Sequence, residues 1–128
     1  MNPDTLLHRQ ISPPWVQKNR VTSQAFRPMP KDKSLLSVYD GDLIDAEASW
    51  QHFTVTQGFA SAGVCAVSVA ECAQQNVPAR PDPDPDGKPF PEHAVIDFTG
   101  KGNSAAEKIS KILRNKAEAR GWLYQADV

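Results

Sequence analysis

Six of the eleven prolines lie between Pro78 and Pro91, and neither a helix interior nor a central strand can run through such a stretch. The segment from Asn76 to Phe98 reads NVPARPDPDPDGKPFPEHAVIDF, with Asp82, Asp84 and Asp86 alternating with prolines. It is expected to be an extended, polyproline-like surface loop that feeds the apolar run Ala94-Val95-Ile96. A stiff loop loses less entropy on binding than a flexible one, and this one is predominantly acidic. Asp82, Asp84, Asp86, Glu92 and His93 are therefore the candidate binding residues, suited to a basic protein partner or to self-association.

At 128 residues the chain fits a single domain, 1–128, with the proline-rich acidic loop at 78–91. Hydrophobic residues make up 40%, which argues against wholesale disorder. Cys65 and Cys72 provide neither a disulfide framework nor paired CxxC spacing, so no metal site and no cofactor are expected. The apolar stretch around Gly63 to Ala70 is far short of the ~20 residues of a membrane span. No basic-then-apolar leader opens the sequence, and a cytoplasmic protein is the expectation.

The net charge of −1 conceals a segregation. Residues 1–33 carry six Lys/Arg against Asp4 and Asp32, and residues 101–128 carry six against Glu107, Glu118 and Asp127. Between them, ten carboxylates face only Arg80 and Lys88. Basic ends packing on an acidic middle explain this better than a nucleic-acid surface, which usually shows a net basic balance. Nucleic-acid binding through Trp15, Phe26, Trp122 and Tyr124 among the basic segments is the weaker alternative.

Leu6 to Ile11 reads as a strand, with Leu7, Arg9 and Ile11 on one face and Leu6, His8 and Gln10 on the other. Ser12-Pro13-Pro14 stops it, and Pro13 suits the first position of a helical turn. Val21 to Phe26 reads as a second strand, rich in β-branched and aromatic residues. Pro28, Pro30 and Lys31-Asp32-Lys33 make a loop, followed by a third strand from Leu35 to Tyr39. Asp45 is placed to cap a helix with Ala46, Trp50 and Phe53 on its apolar stripe. Gly63 to Val69 reads as a strand buried on both faces. Ser68-Val69-Ala70-Glu71 is a capping-box pattern opening a short helix, and Ala94 to Phe98 is a strand.

A second capping-box pattern, Ser104 to Glu107, opens a last helix with Ile109, Ile112 and Leu113 inward and Gly121 at its end. Trp122-Leu123-Tyr124 then packs back or adds an edge strand. The expected fold is α+β: a mixed sheet of four to five strands with about three helices mainly on one face. Val64, Val67, Val95, Ile96, Ile109, Ile112, Leu113, Trp50 and Phe53 are the expected core.

Several segments carry chemistry worth weighing. Asp82, Asp84, Asp86 and Gly87 match the opening of an EF-hand calcium loop, but its last ligand position is His93 instead of Glu. Glu92 and His93 could manage a proton, although consecutive strand residues point to opposite faces. Arg9, or His8 beside it, together with Ser37, Glu92 and His93 would supply the residue types of an ADP-ribosyltransferase-like, NAD-binding cleft if the protein is an enzyme. Cys72 opens a short helix, yet Glu71 beside it opposes a thiolate. No complete catalytic set stands out. The leading expectation is thus a non-enzymatic protein-binding module.

The segments LLHRQI, RVTSQAF, LSVYDGD and PEHAVIDF, in this order, resemble a group of small uncharacterised bacterial proteins. The resemblance covers most of Leu6 to Phe98. It implies a bacterial or phage-type cytosolic origin and a single-domain fold, and it carries over no activity, cofactor or site residue.

Overall fold

Three helices and a six-stranded sheet form one α+β domain in the computed structural model, which describes residues 1–29 and 33–126. The strands are β1 (Leu6–Gln10), β2 (Val16–Gln17), β3 (Arg20–Val21), β4 (Leu35–Asp40), β5 (Gly63–Ser68), β6 (Ala79–Pro81), β7 (His93–Asp97) and β8 (Tyr124–Gln125). The helices are α1 (Ala46–Gln51), α2 (Val69–Gln74) and α3 (Asn103–Arg120). The main sheet runs β6-β7-β4-β1-β5-β8, while β2 and β3 form a separate hairpin. All five pairings in the main sheet are antiparallel, where a mixed sheet was expected. The sheet has six strands where four to five were expected, and its two outermost, β6 and β8, are short. β6 takes the first residues of the proline segment, because an edge position tolerates the missing amide of Pro81.

Register divides the sheet into two unlike faces. Leu7, Val67, Leu36, Val38, Ile96 and Ala94 share one face, and all are essentially sealed from solvent. Phe26 and Phe98 join them, with Ile109, Leu113 and Ala117 of α3 and Cys72 of α2 above. Each fully buried aliphatic or aromatic side chain here contributes about 1.5–3 kcal/mol. The opposite face presents His8, Gln10, Ser37, Tyr39 and His93. Over part of it lies α1, tied down by Gln10 Nε2 donating to Ser49 Oγ at 3.2 Å. Two of the three helices thus cover the apolar face.

Several elements follow directly from local chemistry. Ser68 and Glu71 form the reciprocal capping box on α2, and Asp45 accepts from the Ala48 amide at 2.8 Å to open α1. Every residue of β5 is buried. Pro13–Trp15 is a 3-10 turn with proline at its start, and Tyr124–Gln125 adds the edge strand. Gly121, at φ 87°, ends α3 with its amide on the Ala117 carbonyl.

Other expectations are corrected. Val21–Phe26 is not a strand: only Arg20–Val21 pairs, and Ser23–Phe26 winds into a 3-10 turn. A strand would send Ala25 and Phe26 to opposite faces, whereas the turn buries both completely. Its carbonyls find side-chain donors, Arg9 Nε on Ala25 at 2.7 Å and Ser110 Oγ on Phe26 at 3.0 Å. The Ser104–Glu107 capping box is absent because α3 starts two residues earlier, with Gly102 as its uncapped boundary. Glu107 instead pairs with Lys111 at 3.3 Å.

Trp50 and Phe53 are only half-buried, since their helix lies on the polar face of the sheet. Ile112 is also half-buried, because the inward stripe of α3 is Ile109, Leu113 and Ala117 at four-residue spacing. Pro30, Lys31 and Asp32 of the expected loop lie outside the described residues. No helix among the described residues is long and apolar enough to cross a membrane.

Because Leu113 and not Ile112 lies at the bottom of the helix-sheet interface, Leu113→Ala is expected to destabilise the protein by ~2–5 kcal/mol in chemical denaturation. Ile112→Ala should lose clearly less. The reverse order would displace α3 from its assigned rotation.

Candidate active site

Two neighbouring strands on the polar face, β4 and β7, and the residue that follows β6 each contribute one polar group to a single chain of contacts. In the β4–β7 register Tyr39 pairs with His93 and Ser37 with Val95. His93 is therefore the diagonal neighbour of Ser37 on the same face, a separation of about 7–8 Å that an imidazole can span. His93 Nε2 lies 3.2 Å from Ser37 Oγ. On the other side, Asp82 follows β6 directly, and its amide bonds the His93 carbonyl at 2.9 Å. That places both the Asp82 carbonyl, at 2.9 Å, and its carboxylate Oδ2, at 3.2 Å, on His93 Nδ1.

Both partners of Nδ1 can only accept, so Nδ1 carries the proton. In the neutral ring Nε2 is then bare and accepts from the Ser37 hydroxyl. Ser37 is solvent-exposed while His93 is 9% exposed. This is the arrangement of a hydroxyl, a base and an orienting carboxylate.

The acidic proline loop builds one wall of the site. Its backbone folds on itself through Phe90 N to Pro83 O at 2.7 Å and Gly87 N to Asp84 O at 3.1 Å. Asp86 takes the left-handed conformation at φ 54°, which aspartate tolerates better than most residues. The loop lays Phe90 against Tyr39, His52 and His93, with ring centroids 5.3, 4.7 and 5.1 Å away. The opposing wall is a π-helical turn, His52–Thr56, that continues α1. Its wider winding places Gln57 below His52, and Phe53 stacks on the exposed Phe59 at 5.1 Å. Between the walls is a cavity of about 640 Å³, a size typical of small-molecule sites.

All three histidines of the chain line this cavity. Tyr39 Oη lies 2.8 Å from His52 Nδ1, and burial, with the charge of Glu92 adding to it, holds the phenol protonated well beyond its ordinary range. His8 sits on β1 opposite Tyr39 and is 4% exposed. Its Nδ1 has no partner among the described residues. Burial lowers its pKa from the ordinary 6.5, against the opposing pull of Asp45 and Asp40. Only glycine fits at 41, since a Cβ there would meet the Leu6 carbonyl at 2.4 Å and His8 Nε2 at 2.8 Å.

The candidate residues are distributed unevenly. Ser37, His93 and Asp82 meet, and His8 lines the same cavity. Arg9 borders it but is engaged in structure, with Nη1 on the Ser37 carbonyl at 2.9 Å and its guanidinium 5.1 Å over Trp15. Glu92 is not among the described residues that line the cavity; its carbonyl bonds the Asp40 amide. The acidic role of the ADP-ribosyltransferase-like arrangement therefore has no occupant in Glu92 at this cavity. Asp84 and Asp86 are exposed, and Asp86 lies at the border of the cavity while Asp84 does not line it. Tyr39, His52 and Phe90 were missed by sequence reasoning, because only the fold brings them to one cavity.

Elsewhere the chemistry is structural. Cys72 is fully buried, and burial followed by the Glu71 charge pushes its thiol up to about 12. Phe26 is fully buried, and Trp50 and Tyr124 stack on each other at 5.2 Å. The basic ends pair mainly within or between themselves, as in Arg20–Glu118 at 2.8 Å, whereas Arg120–Glu71 at 3.0 Å reaches the acidic middle. Comparison with known protein families, curated proteins and solved structures finds no match.

The burial of neutral His8 makes stability depend on pH. Unfolded His8 takes up a proton near 6.5 and the folded residue does so only at lower pH, so stability is full above 6.5 and falls as pH drops below it. Between pH 7.5 and 5 the melting temperature should decline less steeply in His8→Gln than in the wild type. Parallel slopes would mean that His8 is free to protonate in the folded chain.

Proposed function

We propose that the protein is a small serine-dependent acyl-transfer enzyme, with Ser37 as nucleophile, His93 as general base and Asp82 as the group that fixes the base. The observation that carries this reading is the pair of acceptors on His93 Nδ1, which leaves Nε2 free to take the Ser37 proton. Attack would form the bond from Ser37 Oγ to the acyl carbon while the hydroxyl proton passes to Nε2. The leaving group departs with that proton. Water, deprotonated by the same nitrogen, then releases the acid and restores Ser37.

A fluorophosphonate probe with mass-spectrometric mapping tests this directly. A single adduct is expected on Ser37, absent in Ser37→Ala and slowed ~10²-fold or more in His93→Gln. Equal labelling of His93→Gln, or an adduct at another serine, would overturn the reading.

A second reading, docking of a basic partner protein on the acidic loop, is favoured by Asp84 and Asp86. Their exposed carboxylates have no ion pair among the described residues. The two readings separate experimentally. Asp84→Asn, outside the cavity lining, should leave Ser37 labelling intact, and should weaken capture of a partner only if the loop is a docking surface.

A further inference from the structure

From the hydrogen bonding of His52 we infer that the site takes aryl esters or amides, with the substrate carbonyl oxygen bound by His52 Nε2–H and the ring held between aromatic walls. This rests on the acyl-transfer reading and extends it to a substrate class and a further catalytic residue. The starting point is the Tyr39 hydroxyl. Tyr39 is 5% exposed and its phenol stays protonated, so its proton needs an acceptor. The hydroxyl has one hydrogen-bond partner among the described residues, His52 Nδ1 at 2.8 Å. Nδ1 therefore accepts, and in the neutral ring the proton of His52 sits on Nε2.

Two imidazoles in one cavity thus have opposite tautomers. His93 has its bare nitrogen at Ser37, whereas His52 has a proton to donate. Both are braced against the same Phe90 ring, at 4.7 Å for His52 and 5.1 Å for His93. A neutral imidazole N–H is a suitable partner for charge developing on a carbonyl oxygen, because a fixed donor in a partly dry site needs no reorganisation during attack. It stabilises the oxyanion as a hydrogen-bond donor and keeps its own proton throughout. Tyr39 acts as a positioning residue, since it touches His52 and sets its tautomer.

The ring preference comes from the walls. Phe53 stacks on Phe59, which is 58% exposed, and both line the cavity together with Phe90. Offset contacts with a flat aromatic group would cover Phe59 and extend the existing stack.

Benzamide, which the site would bind without turnover, is the probe, titrated by NMR into the full chain in the Ser37→Ala background. The expected result is binding with a shift of the His52 Nε2–H resonance, weakened about tenfold or more in His52→Phe. Tyr39→Phe, which keeps the ring and removes the hydroxyl, should mix the His52 tautomers and weaken binding to a lesser extent, with a melting curve confirming that it folds. In parallel, hydrolysis of 4-nitrophenyl benzoate by otherwise wild-type protein should lose ~10²-fold in kcat in His52→Phe, with KM changed far less.

Benzamide binding that is absent in Ser37→Ala, or equal in Ser37→Ala and in Ser37→Ala with His52→Phe, overturns the inference even if wild-type Ser37 labels with fluorophosphonate. Binding that depends on His52 in a protein whose Ser37 does not label overturns the acyl-transfer reading and leaves the carbonyl site standing.

Discussion

The proton on His93 Nδ1 has two acceptors and both belong to Asp82, one from its backbone and one from its side chain. The acyl-transfer proposal depends on that contact. If Asp82 were elsewhere, the imidazole could turn or exchange tautomers, and the Ser37 hydroxyl would face an N–H instead of a lone pair. The contact in turn needs β6, whose pairing with β7 brings residue 82 alongside residue 93. The stiff proline segment thus serves first to deliver Asp82 at one end and Phe90 further along. Its negative charge is secondary to that geometry.

The division of labour between the two faces of the sheet explains how a small domain can hold such a site. Apolar burial is concentrated on the face beneath α2 and α3, where the largest sealed side chains gather. The other face can therefore carry imidazoles, hydroxyls and a cavity without losing the core. It remains ordered through polar ties such as Gln10 to Ser49 and Ser61 and through the aromatic contacts of Phe90. The buried Nδ1 of His8, without a partner among the described residues, is a group of the kind that removes about 1–3 kcal/mol from stability.

Local chemistry was legible in the sequence where a few neighbouring residues decide the outcome. The Ser68–Glu71 capping box, the Asp45 cap, the buried strand β5 and the inward positions of Ile109 and Leu113 on α3 all belong to this kind. What failed was set by distant partners. Val21–Phe26 has strand-like composition, but Arg9 and Ser110 supply donors for its carbonyls and let it coil so that Ala25 and Phe26 both reach the core. Trp50 and Phe53 have a helical apolar stripe, and only the topology reveals which face of the sheet that stripe meets. Ser37 and His93 are 56 positions apart, and nothing short of the β4–β7 register joins them.

The tautomer of His93 is the quantity on which this account stands, and long-range proton–nitrogen correlation on the full chain near neutral pH reads it without any substrate. The account expects Nδ1 protonated, with the low-field proton of a strong hydrogen bond to Asp82, and Nε2 unprotonated beside Ser37. A His93 ring protonated on Nε2 and bare at Nδ1 would contradict it, because such a ring could neither bond Asp82 nor take the serine proton.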